Sequence, residues 1–299
     1  MSIEDKIPHL GMFGPGVGVL HLASSIHQKF PQLSITCFSD RLNSPYSIKE
    51  PAKICSLVNC AIEILSSKGV SQILAGCNTS SLFLGKVIQE RDEQNIVTPD
   101  TLNLLELTIS QLQKLSTGST ALLLGSPLLS KAGYYTEQLT ELSVIEEGLS
   151  GVALDVDQNL HAKRESDYRA TLRNIYKQHP KIDAIVIVCT HFEVIQDIIA
   201  EEASSFYGRQ IPLYLQSDLI LNCLKDFLVP ARDIELTREP PAQFSVLTND
   251  ISKKYISYIE QICPEALVSQ SKYANITASL YQSPAKTHRK PAKSFVSVK

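Results

Sequence analysis

No run of uncharged apolar residues in the 299-residue sequence approaches the roughly 18 that a helix needs to span a bilayer. A helical membrane protein is not expected. The opening stretch MSIEDKIPHL lacks both the basic and the apolar segment of a secretory leader, so a reducing cytoplasm is the expected location. No CxxC pair occurs, and seven cysteines without regular spacing point to free thiols rather than a disulfide framework. A net charge of -3 gives the body of the chain no basic face for nucleic acid. Neither GxGxxG nor GxxxxGK followed by Ser or Thr is present, and potential metal ligands are not clustered. GPGVG at Gly14–Gly18 has the glycines of a phosphate loop without their spacing.

Hydrophobic side chains make up 43% of the chain and charged ones 20%, which allows a sizeable core and, at this length, two lobes. Short apolar runs alternate with longer amphipathic stretches, the pattern of β/α units on a mostly parallel sheet. Strands are expected at Ile7–Phe13, Leu33–Phe38, Gln72–Gly76, Thr120–Leu124, Ile182–Val188, Pro212–Leu215 and Phe244–Leu247. Helices are expected at Val19–Lys29, Lys49–Lys68, Leu82–Glu90, Leu102–Leu115, Tyr135–Leu139, Glu165–Gln178, Val194–Glu202 and Asp218–Phe227. Pro99-Asp100 and Arg209–Pro212 read as crossing points between lobes.

The expected fold is therefore α/β, with two pseudo-symmetric doubly wound lobes, mostly parallel sheets and a cleft between them. Residues 1–98, completed by about 212–268, form the first lobe and residues 99–211 the second. Residues 269–299 contain no Asp or Glu but carry Lys272, Lys286, Arg289, Lys290, Lys293 and Lys299, with Pro284 and Pro291 interrupting any helix. They read as a flexible basic tail, with an acidic partner as the alternative to a merely solvated end.

VSQILAGCNTSSLFLGKVI (Val70–Ile88) and IDAIVIVCTHFEVIQDII (Ile182–Ile199) share one plan: an apolar strand, a cysteine at its carboxyl end, polar residues, then an amphipathic helix. In open α/β sheets ligands bind outside the carboxyl ends of the strands, so Cys77 and Cys189 are expected at a shared cleft. A helix N-terminus lowers a thiol's pKa, and Asn78, Thr79 and Thr190 with the unpaired amides beside them suit a small carboxylate. Two thiols on opposite faces of one carbon can remove its hydrogen from one side and return one from the other, which inverts a stereocentre. His191, two residues after Cys189, is placed to hold or carry that thiol's proton. The other five cysteines read as core or surface thiols.

GCNTSS at Cys77 and CTHF at Cys189 resemble the cofactor-independent aspartate/glutamate racemase family, on its glutamate racemase side. LGMFGPGVG (Leu10–Gly18), FSDRLNSPYS (Phe38–Ser47) and LLLGSPLLSKAGYY (Leu122–Tyr135) resemble further family segments in the same order. The resemblance implies racemisation of glutamate or a related acidic amino acid without pyridoxal phosphate, metal or nucleotide. Cys77 and Cys189 would be the acid/bases, with His191 and Glu146 as helpers and Glu147 a rival to Glu146. Asn78, Thr79, Thr190, Pro45, Tyr46, Ser47, Ser126, Gly14 and Pro15 would contact the substrate. Pairing of two copies is a further implication.

This chain departs from the family pattern at several of those positions. Gly14 and Pro15 stand where the family has Asp and Ser, Leu129 and Ala132 where it has hydroxyls, and Ser47, Val188 and Glu193 where it has Gly, Gly and Pro. Two alternatives stay open: a racemase of altered, less charged substrate, and a racemase-fold protein without turnover that binds a small acid or a protein.

Overall fold

The computed structural model describes residues 9–115, 118–228 and 242–270. Ten strands and eleven helices are found among them, in two sheets. The six-stranded sheet is built from β1 (His9–Gly14), β2 (Ser34–Ser39), β3 (Gln72–Ala75), β4 (Asp100–Asn103), β9 (Phe244–Thr248) and β10 (Leu267–Gln270), in the order β10-β9-β2-β1-β3-β4. The four-stranded sheet is built from β5 (Thr120–Gly125), β6 (Ser143–Gly148), β7 (Ala184–Ile187) and β8 (Leu213–Leu215), in the order β6-β5-β7-β8. Every strand pairing is parallel. The α/β fold with two mostly parallel sheets is thus as expected.

Central strands of such sheets are covered on both faces and read as continuous apolar runs. In β1, Met12 is wholly buried and sits opposite Cys37 on one side and Leu74 on the other. In β5, Leu122 pairs with Ile145 and with Ile185, all within the apolar layer. The two lobes share part of their core. Leu20 and Leu22 of α1 (Gly18–Lys29) belong to the same apolar cluster as Leu122 and Ile185 of the second sheet, and as Ile220 and Leu224 of α10 (Gln216–Phe227).

Some expectations differ from the structure. Strands β4, β6 and β10 are additional to the expected set; each lies at a sheet edge, has no fully buried residue, and lacks an apolar run. Because β4 pairs with β3 and β8 with β7, the chain leaves the first sheet after Asn103, not at Pro99-Asp100, and is still in the second at Leu215, beyond Arg209–Pro212. The expected helix Leu102–Leu115 is accordingly the end of β4 followed by α4 (Leu104–Leu112), whose first turn is capped by the Asn103 side chain accepting from Leu105 N–H. The tail expected from residue 269 begins no earlier than residue 271, since Ser269 and Gln270 are in β10. The remainder of that tail, and the first two residues of the expected strand Ile7–Phe13, lie outside the described residues. No helix among the described residues is long and apolar enough to cross a membrane.

Candidate active site

Both sheets reverse direction of winding at a specific gap. From β1 the chain moves to β2 on one side and then to β3 on the other; from β5 it moves to β6 and then to β7. The crevice at such a switch point, outside the carboxyl ends of the strands, is where open α/β sheets bind ligands. Cys77 follows β3 and Pro15 follows β1; Cys189 follows β7 and Ser126 follows β5. The two crevices face each other and merge into one cleft lined by Pro15, Cys77 and Thr79 from one lobe and by Ala153, Cys189 and His191 from the other. The remaining lining residues are Pro45, Tyr46, Ser47, Asn78, Ser126, Val188 and Thr190. The free space in this cleft is only about 20 Å³, less than an amino acid fills.

Cys77 is the residue that starts α3 (Asn78–Glu93), with extended backbone at φ -146° and ψ 130°. The helix begins four residues earlier than its apolar pattern indicates, directly after the thiol. Burial pushes the thiol's pKa up, and the Ser80 N–H at the first turn of the helix only partly opposes this. The expected lowering by a helix N-terminus is therefore present but loses to desolvation. Cys189 and His191 also act on Cys77 electrostatically across the cleft.

Cys189 stands in a different setting from the one expected. A short 3₁₀ turn, Phe192–Ile195, follows it, and α9 (Gln196–Tyr207) starts only at Gln196. The charge beside this thiol comes from a side chain instead. His191 is buried with Nε2 3.3 Å from Oδ1 of Asp157, which is also fully buried. Burial alone would keep the imidazole neutral, but Asp157 and Cys189 outweigh it and hold the ring's pKa well above its ordinary value. Burial likewise opposes the Asp157 charge, yet His191, Ser44 and Val17 together bring the carboxyl below its usual pKa. The same His191 nitrogen lies 3.4 Å from the Gly18 amide. A charged ring has no lone pair for that amide, so its proton goes to Asp157 and the Gly18 approach is a packing contact.

Asp157 closes α7 (Val152–Asp157) of the second lobe, and nothing in its local sequence marks it as a site residue. Its Oδ1 accepts from Val17 N–H at 2.8 Å and its Oδ2 from the Ser44 hydroxyl, both in the first lobe. This approach explains two glycines of GPGVG. A Cβ on Gly16, whose φ is +60°, would lie 1.9 Å from Asp157 Oδ1. A Cβ on Gly18 would lie 2.5 Å from Thr190 Oγ1 and 2.6 Å from His191 Nδ1. The glycines admit the other lobe.

The remaining candidates separate into residues with free polar atoms and residues whose polar atoms are taken. Thr79, Thr190 and Ser47 line the cleft, and their hydroxyls have no hydrogen-bond partner among the described residues. Asn78 also lines it, but its Nδ2 donates to Val188 O and Gln216 Oε1, each at 2.7 Å, while its Oδ1 accepts from Tyr135 OH and Gln216 Nε2, each at 2.9 Å. Its amide ties the lobes together and has nothing left for a ligand. The Tyr46 hydroxyl donates to Asp40 at 2.7 Å, and Ser126 caps α5 (Pro127–Ala132) by accepting from Leu129 N–H at 3.4 Å. Pro15, Pro45, Ala153 and Val188 supply apolar wall. Leu129, in place of a hydroxyl, is buried in the second lobe's core.

Gly14 and the two glutamates do not line the cleft. A Cβ at Gly14 would stand 3.4 Å from Cys77 Cβ and 3.0 Å from Val19 Cβ, so a larger side chain there meets packed neighbours. Glu146 Oε1 accepts from the Thr136 N–H and hydroxyl, at 2.8 and 2.9 Å, and Glu147 is 2.7 Å from His179. The acid that reaches the cleft's histidine is Asp157, not either glutamate. Among the described residues no group of three or more His, Cys, Asp or Glu is placed to hold a metal ion.

No family model matches the chain. The glutamate racemase of Cereibacter sphaeroides is 22% identical over 231 residues, covering 73% of this chain and 84% of that protein. Among solved structures, the glutamate racemase isoform RacE1 of Bacillus anthracis superposes with a TM-score of 0.74 at 17% identity, over 88% of this chain and 97% of that one. The glutamate racemase of Francisella tularensis, solved with D-glutamate, gives a TM-score of 0.70 at 19% identity, over 89% of this chain and 97% of that one. The chain is thus similar to glutamate racemases over most of its length and shares their two-sheet α/β fold.

Proposed function

We propose that the protein racemises glutamate or a related acidic amino acid by proton transfer between Cys77 and Cys189. One observation supports this most: each thiol stands at a switch point of its own sheet, and the two line one cleft from opposite lobes. In the forward half-reaction one thiolate takes the Cα hydrogen, leaving a carbanion, and the opposing thiol gives its proton to the other face. The thiolate and thiol have then exchanged places, and a proton taken up on one side and lost on the other resets them. His191, beside Cys189 in the cleft lining, is placed to take and return that thiol's proton during the exchange. The unpaired hydroxyls of Thr79, Thr190 and Ser47 are available to the substrate's carboxylate and ammonium groups.

A less charged substrate is favoured by one feature: among the lining residues only His191 has a side chain that carries positive charge, and its ring is already paired with Asp157. The test covers both readings. L- and D-glutamate, L- and D-aspartate and a panel of neutral amino acids are incubated with the enzyme in deuterated solvent, and Cα exchange is followed by NMR and inversion by chiral chromatography. The wild type is expected to invert at least one pair, with Cys77→Ser and Cys189→Ser each losing about 10²-fold or more. Absence of exchange on every substrate, or turnover indifferent to both substitutions, overturns the proposal.

A further inference from the structure

The end of α7 is held by the opposite lobe through both backbone and side chain. Three successive carbonyls, of Val156, Asp157 and Gln158, accept from Tyr258 OH at 3.3 Å, Arg41 at 3.3 Å and Lys254 at 3.2 Å. The Asp157 carboxylate takes the Val17 amide and the Ser44 hydroxyl from the same lobe, and the His191 ring from its own. One carboxylate therefore joins three things: the turn after β1, the segment that precedes cleft residues Pro45–Ser47, and the imidazole next to the second thiol. Its position also compensates for a gap in the sequence. Gly14 leaves the turn after β1 without an acid, and Asp157 brings one to that turn from across the cleft.

We propose that Asp157 is a positioning residue that fixes the His191 ring behind Cys189 and latches the two lobes, so that closing the cleft and setting the imidazole are one event. The inference rests on the two-thiol reading for its catalytic meaning but not for its physical content. When the lobes part, Asp157 loses Val17 and Ser44 and the charged ring loses the environment that supports it; when they close, both return. An open cleft thus exchanges substrate, and a closed one holds the ring ready. The titratable groups facing His191 are Asp157 and Cys189 on its own lobe, and His21 of α1 and Cys77 on the other.

Two variants separate latch from charge. Asp157→Asn keeps the shape and loses the carboxylate; Ser44→Ala keeps the carboxylate and loses one lobe-to-lobe bond. The first readout is the ¹⁵N-imidazole NMR signal of His191, and the second is the rate at which iodoacetamide alkylates Cys77, measured by mass spectrometry. Wild type is expected to keep the His191 ring charged at pH 7.5, and Asp157→Asn to have it neutral there. Alkylation of Cys77 is expected to rise about fivefold in both variants as the open form gains population. In turnover, Asp157→Asn is expected to lose about 10- to 100-fold in kcat, to move the alkaline limb of its pH profile to lower pH, and to be partly rescued by Asp157→Glu.

A charged ring in Asp157→Asn, or unchanged alkylation of Cys77 in both variants, overturns the proposal. If Asp157→Asn does not fold, the His191 signal of wild type and the Ser44→Ala alkylation rate decide in the same way. If the wild type inverts no amino acid, the racemase reading fails, while the ring signal and the alkylation rates still decide whether the latch exists.

Discussion

The side-chain amides of Asn78 and Gln216 face each other as a reciprocal pair, Nδ2 to Oε1 at 2.7 Å and Nε2 to Oδ1 at 2.9 Å. Gln216 is wholly buried and also donates to Thr108 Oγ1 at 2.7 Å. The pair bridges the first residue of α3, next to Cys77, to the first residue of α10, which follows β8 of the other sheet. A motif residue that reads as a ligand contact is here a structural tie at the base of the cleft.

Gln216→Ala is therefore expected to strip one Asn78 N–H of its acceptor in a buried site, while Val188 and Tyr135 still hold the rest of the amide, at a cost of about 1–2 kcal/mol. Asn78→Ala should cost a similar amount. The double variant should cost clearly less than the sum of the two, because each single change strands the other's partner. Urea unfolding of the four proteins measures the coupling. Strict additivity would show that the amides do not act as a pair.

A second expectation concerns Gly18, the first residue of α1. Alanine in place of glycine ordinarily favours a helix by up to about 1 kcal/mol. Here its methyl would stand 2.5 Å from Thr190 Oγ1 and 2.6 Å from His191 Nδ1, so the cleft residues must move. Gly18→Ala should unfold within about 1 kcal/mol of wild type yet lose more than about tenfold in kcat/KM. Wild-type activity in this variant would mean that the position of His191 does not matter.

What the sequence reveals and what it hides have physical causes. Central strands such as β1, β3, β5 and β7 are covered on both faces, and their apolar runs stand out. Edge strands β4, β6 and β10 bury little and leave no such trace. Cys77 and Cys189 are legible because a strand end and a following turn place them from local pattern alone. Asp157 is not, because nothing in GVALDVDQNL distinguishes it from Asp155 two residues earlier. Its burial depends on Val17, 140 residues away, and on Ser44, 113 residues away. Glu146 shows the complementary case: its place on β6 is suggestive, but it does not line the cleft, and its Oε1 accepts from Thr136, ten residues away.

The ion pair between His191 and Asp157 gives stability a definite pH dependence. A histidine whose folded pKa is raised contributes fully below its unfolded value of about 6.5, and the contribution is lost as pH rises through the folded pKa. Asp157, lowered on folding, contributes fully above its unfolded value of about 3.9 and loses that as pH falls through the folded one. Wild type should therefore exceed His191→Asn in unfolding free energy by roughly 3 kcal/mol between about pH 4 and 6.5, and the gap should narrow at higher pH. His21, which burial pushes down to about 4 with help from His191 and His161, is present in both proteins, so its own titration largely cancels in the comparison. Urea midpoints at pH 5, 7 and 9 measure the gap. A difference that stays constant or widens with pH would contradict a charged ring.

Glu193 predicts the opposite trend. It stands where the family has a proline, and its Oε1 accepts from the Ser217 N–H at 2.8 Å, at the start of α10. Burial pushes its carboxyl up to about 7, against the hydrogen bonds from Ser217, with Asp218 adding repulsion. Below its unfolded value of about 4.5 the group is neutral in both states and has no effect on the balance. As pH rises toward 7 the unfolded chain ionises freely while the folded one resists, so stability falls, and above 7 the loss is complete. Glu193→Gln keeps an acceptor for Ser217 and removes the titration. The variant should match wild type near pH 4.5 and exceed it at pH 8 by up to about 3 kcal/mol. If the two proteins instead keep a constant offset from pH 4.5 to 8, the carboxylate is ionising as easily in the fold as in water, and the helix start it caps must be wetter than its burial indicates.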